Sequence, residues 1–222
     1  MELKIILGDQ EILINDTIFN LWLVIIFLSI IAIIVNKKIK EADIEEEPTG
    51  FLHIVEILVD GVNNLVKSTM GDRNMAFAPY IFTLVCFLGV ANLVGLIGLT
   101  PPTSDYSVTF ALALITFFIT QILMIRTNKG IGGYLKSFTK PLVFLTPLNV
   151  LGELANPISL SFRLFGNIMS GGIIMTLLYN ALGYAAPLVT PVLHGYFDVF
   201  SGLLQTFIFA MLTMIFISGA TE

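Results

Sequence analysis

The sequence predicts an all-α integral membrane protein, and two observations support that fold class. First, 56% of the 222 residues are hydrophobic and only 12% are charged, about half the charged fraction of an ordinary soluble domain. Second, the apolar residues fall into runs of about 20, the length that a helix needs to cross the hydrocarbon core of a bilayer. A soluble protein of this length would not cover its surface with so few polar groups.

Five apolar runs are long enough to span the membrane. They predict a single membrane domain over residues 1–222, with residues 1–16 outside the membrane at the N-terminus. The predicted spans are residues 17–35, 77–99, 106–125, 142–182 and 188–219. Because only the short segment "GYAAPLVTP" separates the last two spans, we expect them to form a hairpin of long, tilted helices.

The lysines and arginines predict the orientation of the chain. Nine of the ten cations that flank the spans lie on one side of the membrane. These nine are Lys37, Lys38, Lys40, Lys67, Arg73, Arg126, Lys129, Lys136 and Lys140, whereas Lys4 lies on the other side. Because cytoplasmic loops carry an excess of Lys and Arg, we expect the N-terminus outside and the C-terminus in the cytoplasm.

Other features of the composition exclude several classes of protein. Much of the negative charge lies in one run, "EADIEEE" at 41–47, which we interpret as a solvated loop. No basic patch indicates nucleic-acid binding. Cys86 is the single cysteine, so the chain forms no internal disulfide. The first residues lack the basic region of a cleaved signal peptide, and no phosphate-binding loop follows the glycines of "GIGG".

Residues 50–70 are predicted to form an amphipathic helix on the cytoplasmic side. One face of this helix is apolar and the opposite face is polar. The apolar face comprises Phe51, Val55, Leu58, Val62, Leu65 and Val66, and the polar face comprises His53, Glu56, Asp60, Asn63, Asn64 and Lys67. Such a helix lies in the membrane interface or docks on a protein partner, and the pattern suits both.

The fourth span is too long for a simple crossing. Residues 147–182 contain one internal proline, Pro157, and as a single helix they would extend about 54 Å at 1.5 Å per residue. The hydrocarbon core is only about 30 Å thick. The helix is therefore expected to tilt steeply, to kink at Pro157 or to begin outside the core.

Polar side chains follow one face of each of the last two spans. Their spacings of three, four and seven residues are those of an α-helical face. On the fourth span they are Asn149, Glu153, Asn156, Arg163, Asn167 and Ser170, and on the fifth they are His194, Asp198, Ser201 and Gln205.

The small residues Ser159, Gly166, Gly171 and Gly172 are expected to let another helix approach closely. For Asn92, Gln121 and Asn149 we favour a role as interhelical hydrogen-bonding groups.

Arg163 is the most informative of these residues. An arginine inside a membrane span costs at least about 2.5 kcal/mol and keeps its proton, which favours a functional role. The nearest acid on its own face, Glu153, is ten residues away, about 15 Å along the axis, and Asp198 is expected nearer to the outer turn. We therefore expect the partner of Arg163 on another polypeptide. Two polar patches on opposite sides of a fixed positive charge would give ions a partial path from each side.

At the level of motifs, "ELANPISLSFRLFGNIMSGG" and "DVFSGLLQTFIFAMLTMIFIS" closely resemble subunit a of F-type ATP synthases, and the resemblance covers the whole chain. It implies a stationary subunit beside a rotating ring of c subunits, with no catalytic site and no cofactor of its own. Arg163 would face the ion-binding carboxylate of each ring subunit, and Asn167 and Gln205 would hold the arginine and line the path. Further partners would be the b-subunit peripheral stalk and the bilayer of the bacterial plasma membrane, in a hetero-oligomeric complex.

The resemblance also implies two access paths. Asp198 and His194 would lie in the path from the outer side, while Glu153, Asn156 and Ser159 would lie toward the cytoplasm. This chain departs from one common pattern, because Gly172 stands where some members have glutamate and Asp198 stands where they have histidine.

Two questions stay open at this point. Asp198, Ser201 and Gln205 suit either H⁺ or Na⁺ as the transported ion. The alternative function is a self-contained secondary transporter or channel in which Arg163 binds an anionic substrate. Such transporters usually carry internal repeats, and the sequence has none.

Overall fold

The computed structural model describes residues 3–7, 10–41, 50–139 and 142–221. Within these residues, five helical segments are long and apolar enough to cross a membrane, which confirms the predicted fold class. These segments are Asp16–Glu41, Asp72–Ile97, Tyr106–Thr127, Val143–Leu182 and Ala186–Thr221. Apart from Glu41, the predicted acidic loop at 41–47 lies outside the described residues.

The chain forms two compact units, Met1–Pro102 and Thr103–Glu222, and a single membrane domain over residues 1–222 stays a prediction. The helices of the first unit are α1 (Asp16–Glu41), α2 (Phe51–Met70) and α3 (Ala78–Leu93), with 3₁₀ turns on both sides of α3 at Asp72–Phe77 and Val94–Ile97. Its core joins Val24 of α1 to Ala91 and Val94. The buried amide of Asn20 donates to the Thr100 carbonyl oxygen at 2.9 Å.

A two-stranded antiparallel sheet precedes α1 and was not expected from the sequence. It consists of β1 (Leu3–Leu7) and β2 (Gln10–Ile14), with Leu3 opposite Ile14 and Ile5 opposite Ile12. The isoleucines of these two runs are β-branched, and β-branched residues favour an extended backbone. The two strands add a small sheet to the described residues, whose other regular structure is helical.

The predicted amphipathic helix is present as α2. Its C-terminal end packs into the first unit, where Val66 and Met70 are buried. Nearer the N-terminus, Ile54, Ile57 and Leu58 are each more than half exposed, at 58%, 57% and 55%. One apolar edge of α2 is thus covered within the unit while another is open, so a position in the membrane interface stays a prediction.

The second unit is a bundle around a long helix. Its helices are α4 (Tyr106–Thr127), α5 (Ile131–Ser137), α6 (Thr146–Leu182), α7 (Ala186–His194) and α8 (Ser201–Thr221). The Asp105 carboxylate caps α4 by accepting from the Ser107 N–H at 2.8 Å. Helix α4 packs against both α6 and α8, and the Thr127 hydroxyl donates to the Ala220 carbonyl oxygen at 3.0 Å.

Helix α6 has the excess length that the sequence predicts. It runs for 37 residues with Pro157 inside it, about 55 Å at 1.5 Å per residue. A 3₁₀ turn at Gly183–Ala185 and helix α7 then reverse the chain. Between α7 and α8 lies a π-helical turn, Gly195–Phe200, so the predicted hairpin of two long helical segments is present.

The expected close approach at small residues occurs at only one of the three glycines. A side chain at Gly171 would meet the Phe197 ring 3.5 Å away, whereas Gly166 and Gly172 have no such neighbour. Both of the latter are exposed. Gly166 and Gly172 face away from the bundle. No neighbour among the described residues therefore requires a glycine at either position.

Candidate functional site

Arg163 lies near the middle of α6 and is exposed. Its neighbours fix the rotation of the helix, since Leu164 is fully buried. On the same stretch, the Phe162 and Phe165 rings lie 4.8 and 5.8 Å from the Tyr106 ring of α4. Among the described residues Arg163 takes part in no ion pair or hydrogen bond. The guanidinium is therefore held at an open surface with its charge uncompensated.

The face that carries Arg163 is lined by small residues. Ala155, Ser159, Gly166 and Ser170 are all exposed, and their spacing from Arg163 places them along one stripe of α6. This stripe offers a shallow surface that a second helix can approach, with one cation at its centre. Ser159 lies on this stripe, and its place toward the cytoplasmic path stays a prediction.

Asn167 and Gln205 lie on the two long helical segments. Asn167 is one turn beyond Arg163 and half-buried. Gln205 on α8 is only 2% exposed, and its Nε2 is buried without a hydrogen-bond partner in the described residues. Leaving such a donor unsatisfied costs about 1–3 kcal/mol. No hydrogen bond joins either residue to Arg163 in the described part of the chain, so their role in holding the arginine stays a prediction.

A chain of three hydrogen-bonded side chains lies at the end of the hairpin near its turn. The Tyr179 hydroxyl is 2.7 Å from His194 Nε2, and His194 Nδ1 is 2.5 Å from Asp198 Oδ2. In a neutral histidine one ring nitrogen donates and the other accepts. Because the Asp198 carboxylate only accepts hydrogen bonds, the neutral tautomer that satisfies both contacts has Nδ1–H donating to Asp198 and Nε2 accepting from Tyr179. The side chains of His194 and Asp198 are partly exposed, at 31% and 22%. We call Tyr179, His194 and Asp198 the outer triad, after the side of the membrane on which the sequence predicts it.

His194 and Asp198 were predicted from the sequence, whereas Tyr179 was not. Tyr179 reaches His194 across the turn at Gly183–Ala185, so its place in the triad comes from the packing of the two helices. Ser201, one turn beyond Asp198, is half-buried and makes no hydrogen bond through its side chain within the described residues.

A second polar group surrounds Glu153 near the other end of α6. Gln121 Nε2 donates to Glu153 Oε2 at 3.2 Å, and the Tyr134 hydroxyl donates to Gln121 Oε1. We call Tyr134, Gln121 and Glu153 the inner triad, because the predicted orientation places it on the cytoplasmic side. Burial, and after it the charge of Glu153, raises the pKa of Tyr134 above its ordinary value. The hydroxyl therefore keeps its proton throughout the physiological range and remains a donor.

Glu153 and Asn156 also line two neighbouring cavities. One has a volume of about 220 Å³ and lies between α4, α6 and α8. The other, of about 500 Å³, reaches Ser137 and Phe138 at the C-terminal end of α5. Asn149 donates to the Phe138 carbonyl oxygen at 2.8 Å and so ties α6 to the end of α5. Gln121 and Asn149 do link helices, as expected, but Gln121 in addition contacts the acidic group.

Arg163 lies between the outer and inner triads along α6. It is ten residues from Glu153 and 16 residues from Tyr179, which correspond to about 15 and 24 Å along the axis. The structure therefore brings Asp198 to His194 and Glu153 close to Asn156. It does not bring either acid to Arg163 in the described residues.

Comparison with known proteins identifies the family. Residues 18–218 match the ATP synthase A chain family. The chain belongs to this family. An ATP synthase subunit a from Geobacter sulfurreducens is 37% identical over 212 residues, which cover 93% of this chain and 88% of the relative. The subunit a of Trichlorobacter lovleyi is 37% identical over 206 residues, which cover 90% and 85% of the two chains.

Membership of the ATP synthase A chain family confirms the resemblance found in the two helical motifs. It also confirms that the chain is a non-catalytic part of an ATP synthase. Together with the five apolar helical segments, it makes the chain a multi-pass membrane protein.

Proposed function

We propose that this chain is the stationary ion-translocating subunit of the membrane sector of an ATP synthase. In this role it forms two offset half-channels against a rotating ring of c subunits and couples ion flow to rotation and ATP synthesis. The observation that carries the proposal is the exposed Arg163, which has no ion-pair partner among the described residues and lies between two separate polar triads.

The charge of Arg163 calls for a partner outside the chain. A guanidinium in a membrane span costs about 2.5–3.5 kcal/mol on insertion scales and cannot lose its proton. A carboxylate on each ring subunit would compensate this charge as it passes. The small residues that flank Arg163 support this pairing, because they leave room for a ring helix to come near. Between passages the fixed cation would repel free cations and prevent a direct leak between the two half-channels.

The two triads supply the access paths. From the outer side, ions would reach the ring by way of Asp198 and His194, with Ser201 and Gln205 further along the same helical segment. From the cytoplasm, they would enter the open cavity that Glu153 and Asn156 line. The offset of these paths along α6 means that an ion has to travel with the ring to pass from one to the other.

The outer triad favours H⁺ as the transported ion. Each of its links joins a group that can give up a proton to one that can accept it. A proton can therefore move along the hydrogen bonds between Tyr179, His194 and Asp198 without a hydrated ion passing through.

The orientation and the further partners follow from the same role. The nine cations on one side of the spans support an N-terminus outside and a C-terminus in the cytoplasm. The open apolar edge of α2 would lie in the cytoplasmic interface of a bacterial plasma membrane, near the b-subunit peripheral stalk. The alternative function, a self-contained transporter, is disfavoured because members of this family are named as parts of an ATP synthase.

The test is a gentle purification of the complex through a tag on this chain. We expect a ring of small, carboxylate-bearing subunits to be recovered with it, and we expect the reconstituted complex to make ATP in an H⁺ gradient without added sodium. A tagged chain that carries no ring and transports a solute by itself would contradict the proposal. A requirement for sodium would contradict the choice of H⁺ alone.

A further inference from the structure

We infer that Tyr134, acting through Gln121, positions the Glu153 carboxylate for ion exchange with the cytoplasm. This inference rests on the proposed function and names two residues of the inner path that the helical motifs do not contain. Tyr134 is a positioning residue, since it contacts Gln121 and reaches Glu153 only through that side chain.

The turn between α4 and α5 is built to bring Tyr134 back onto α4. Lys129 has a left-handed backbone with φ 59°, and Gly130 has φ 113°. Gly133 passes so close to Asn128 that a Cβ there would lie 1.8 Å from the Asn128 carbonyl oxygen. Only glycine fits that position, because no shift of a flexible side chain relieves a clash with backbone. The turn therefore folds α5 tightly against the end of α4.

The chemistry of the three groups determines how they bond. An ionised carboxylate only accepts hydrogen bonds, so Glu153 takes the Nε2 end of the Gln121 amide. The Oε1 end then needs a donor, and Tyr134 supplies one. Its raised pKa keeps that donor protonated. The phenol thus biases the amide toward the orientation that donates to ionised Glu153.

The surroundings of Glu153 leave few other groups to set its charge. Among the described residues that line its two cavities from α4, α5, α6 and α8, none besides Glu153 is ionisable. Tyr134 is the titratable group that acts on it through a hydrogen-bonded side chain. The inner triad therefore links the protonation of Glu153 to the orientation of one amide, beside the two cavities that Glu153 lines.

The experiment uses the intact complex in vesicles and measures ATP-driven proton pumping against the pH on the ATP-hydrolysing side. In Tyr134→Phe the Gln121 amide is no longer biased toward donating to ionised Glu153. The pH at which pumping falls to half its maximum should therefore rise by about half to one unit. Gln121→Leu should give a shift in the same direction. If Tyr134 acts through Gln121, the double variant should shift no further than Gln121→Leu alone. The matched control is Tyr184→Phe, a fully exposed tyrosine at the outer turn.

Two results would overturn the inference. One is an unchanged pH midpoint in Tyr134→Phe and Gln121→Leu, including a loss of rate that is equal at every pH. The other is a failure of both variants to assemble, which would make the two residues structural. The proposed function is tested separately by Arg163→Ala. If that variant loses coupling while Tyr134→Phe behaves as wild type, only the inference fails, and if Arg163→Ala stays coupled, the proposed function fails.

Discussion

At the residue scale the main feature is a cation within a predicted membrane span, Arg163, which has no ion-pair partner in the described residues and lies between two hydrogen-bonded groups. Arg163 is open to a partner on one face of α6, while Leu164 on the other face is fully buried. The helix therefore cannot rotate the guanidinium inward without exposing packed side chains. This arrangement suits a fixed charge that meets a moving one, since the position of the arginine is set by packing and not by an ion pair.

Tyr179→Phe tests the outer triad at this scale. Removing the hydroxyl deletes one hydrogen bond to His194, and a net hydrogen bond contributes about 0.5–1.5 kcal/mol, so we expect proton conduction up to about tenfold slower. Asp198→Asn should be slower still, because it removes the carboxylate that orients the imidazole. The measurement is passive proton flux through the membrane sector in vesicles. Equal flux in wild type and Tyr179→Phe would show that Tyr179 is not part of the path.

The residues of this site that could be predicted from the sequence are those whose signal depends only on the chain itself. A 3.6-residue period and the cost of a charge in a membrane depend only on neighbours along the chain, so Arg163 and Asp198 could be identified. Tyr179, Gln121 and Tyr134 acquire their roles from packing between helices. A tyrosine carries no comparable penalty in an apolar helix, and its partners cannot be read from periodicity.

At the scale of elements, a long helix, a hairpin and a tight turn place the polar groups. The length of α6 and the reversal after it could be predicted from apolar runs and a proline-bounded gap. The π-helical turn at Gly195–Phe200 could not, because its residues fit an α-helical pattern equally well. The sheet of β1 and β2 was missed because each strand has only five residues, too few for a pattern to separate strand from helix.

The turn after α4 gives a prediction with a matched control. Gly133→Ala would place a Cβ 1.8 Å from the Asn128 carbonyl oxygen, and relief of such overpacking typically costs about 1–3 kcal/mol. Gly132→Ala meets no atom within 4 Å and should be neutral or slightly stabilising. The amount of assembled complex and its thermal stability in detergent measure both. Equal stability of the two variants would contradict the geometry of this turn.

At the scale of the whole molecule, three features support the proposed role: the family, the membrane spans and the separation of the two triads. The chain belongs to the ATP synthase A chain family, and the open face around Arg163 faces away from its own bundle. In the described residues Asp198 is hydrogen-bonded to His194 and Glu153 to Gln121, and neither acid pairs with Arg163. Under the proposed function, a group from the rest of the complex would compensate the charge of the arginine.

The most direct test of the central claim is ion-driven ATP synthesis by the assembled Arg163→Ala complex. We predict that the complex assembles with its ring and that coupled synthesis is lost, because nothing then draws the ring carboxylate into its unloaded state or blocks the leak. Arg73→Ala, which removes an exposed arginine of the first unit, should leave synthesis near the wild-type level. Coupled synthesis at the wild-type level by an assembled Arg163→Ala complex would contradict the account.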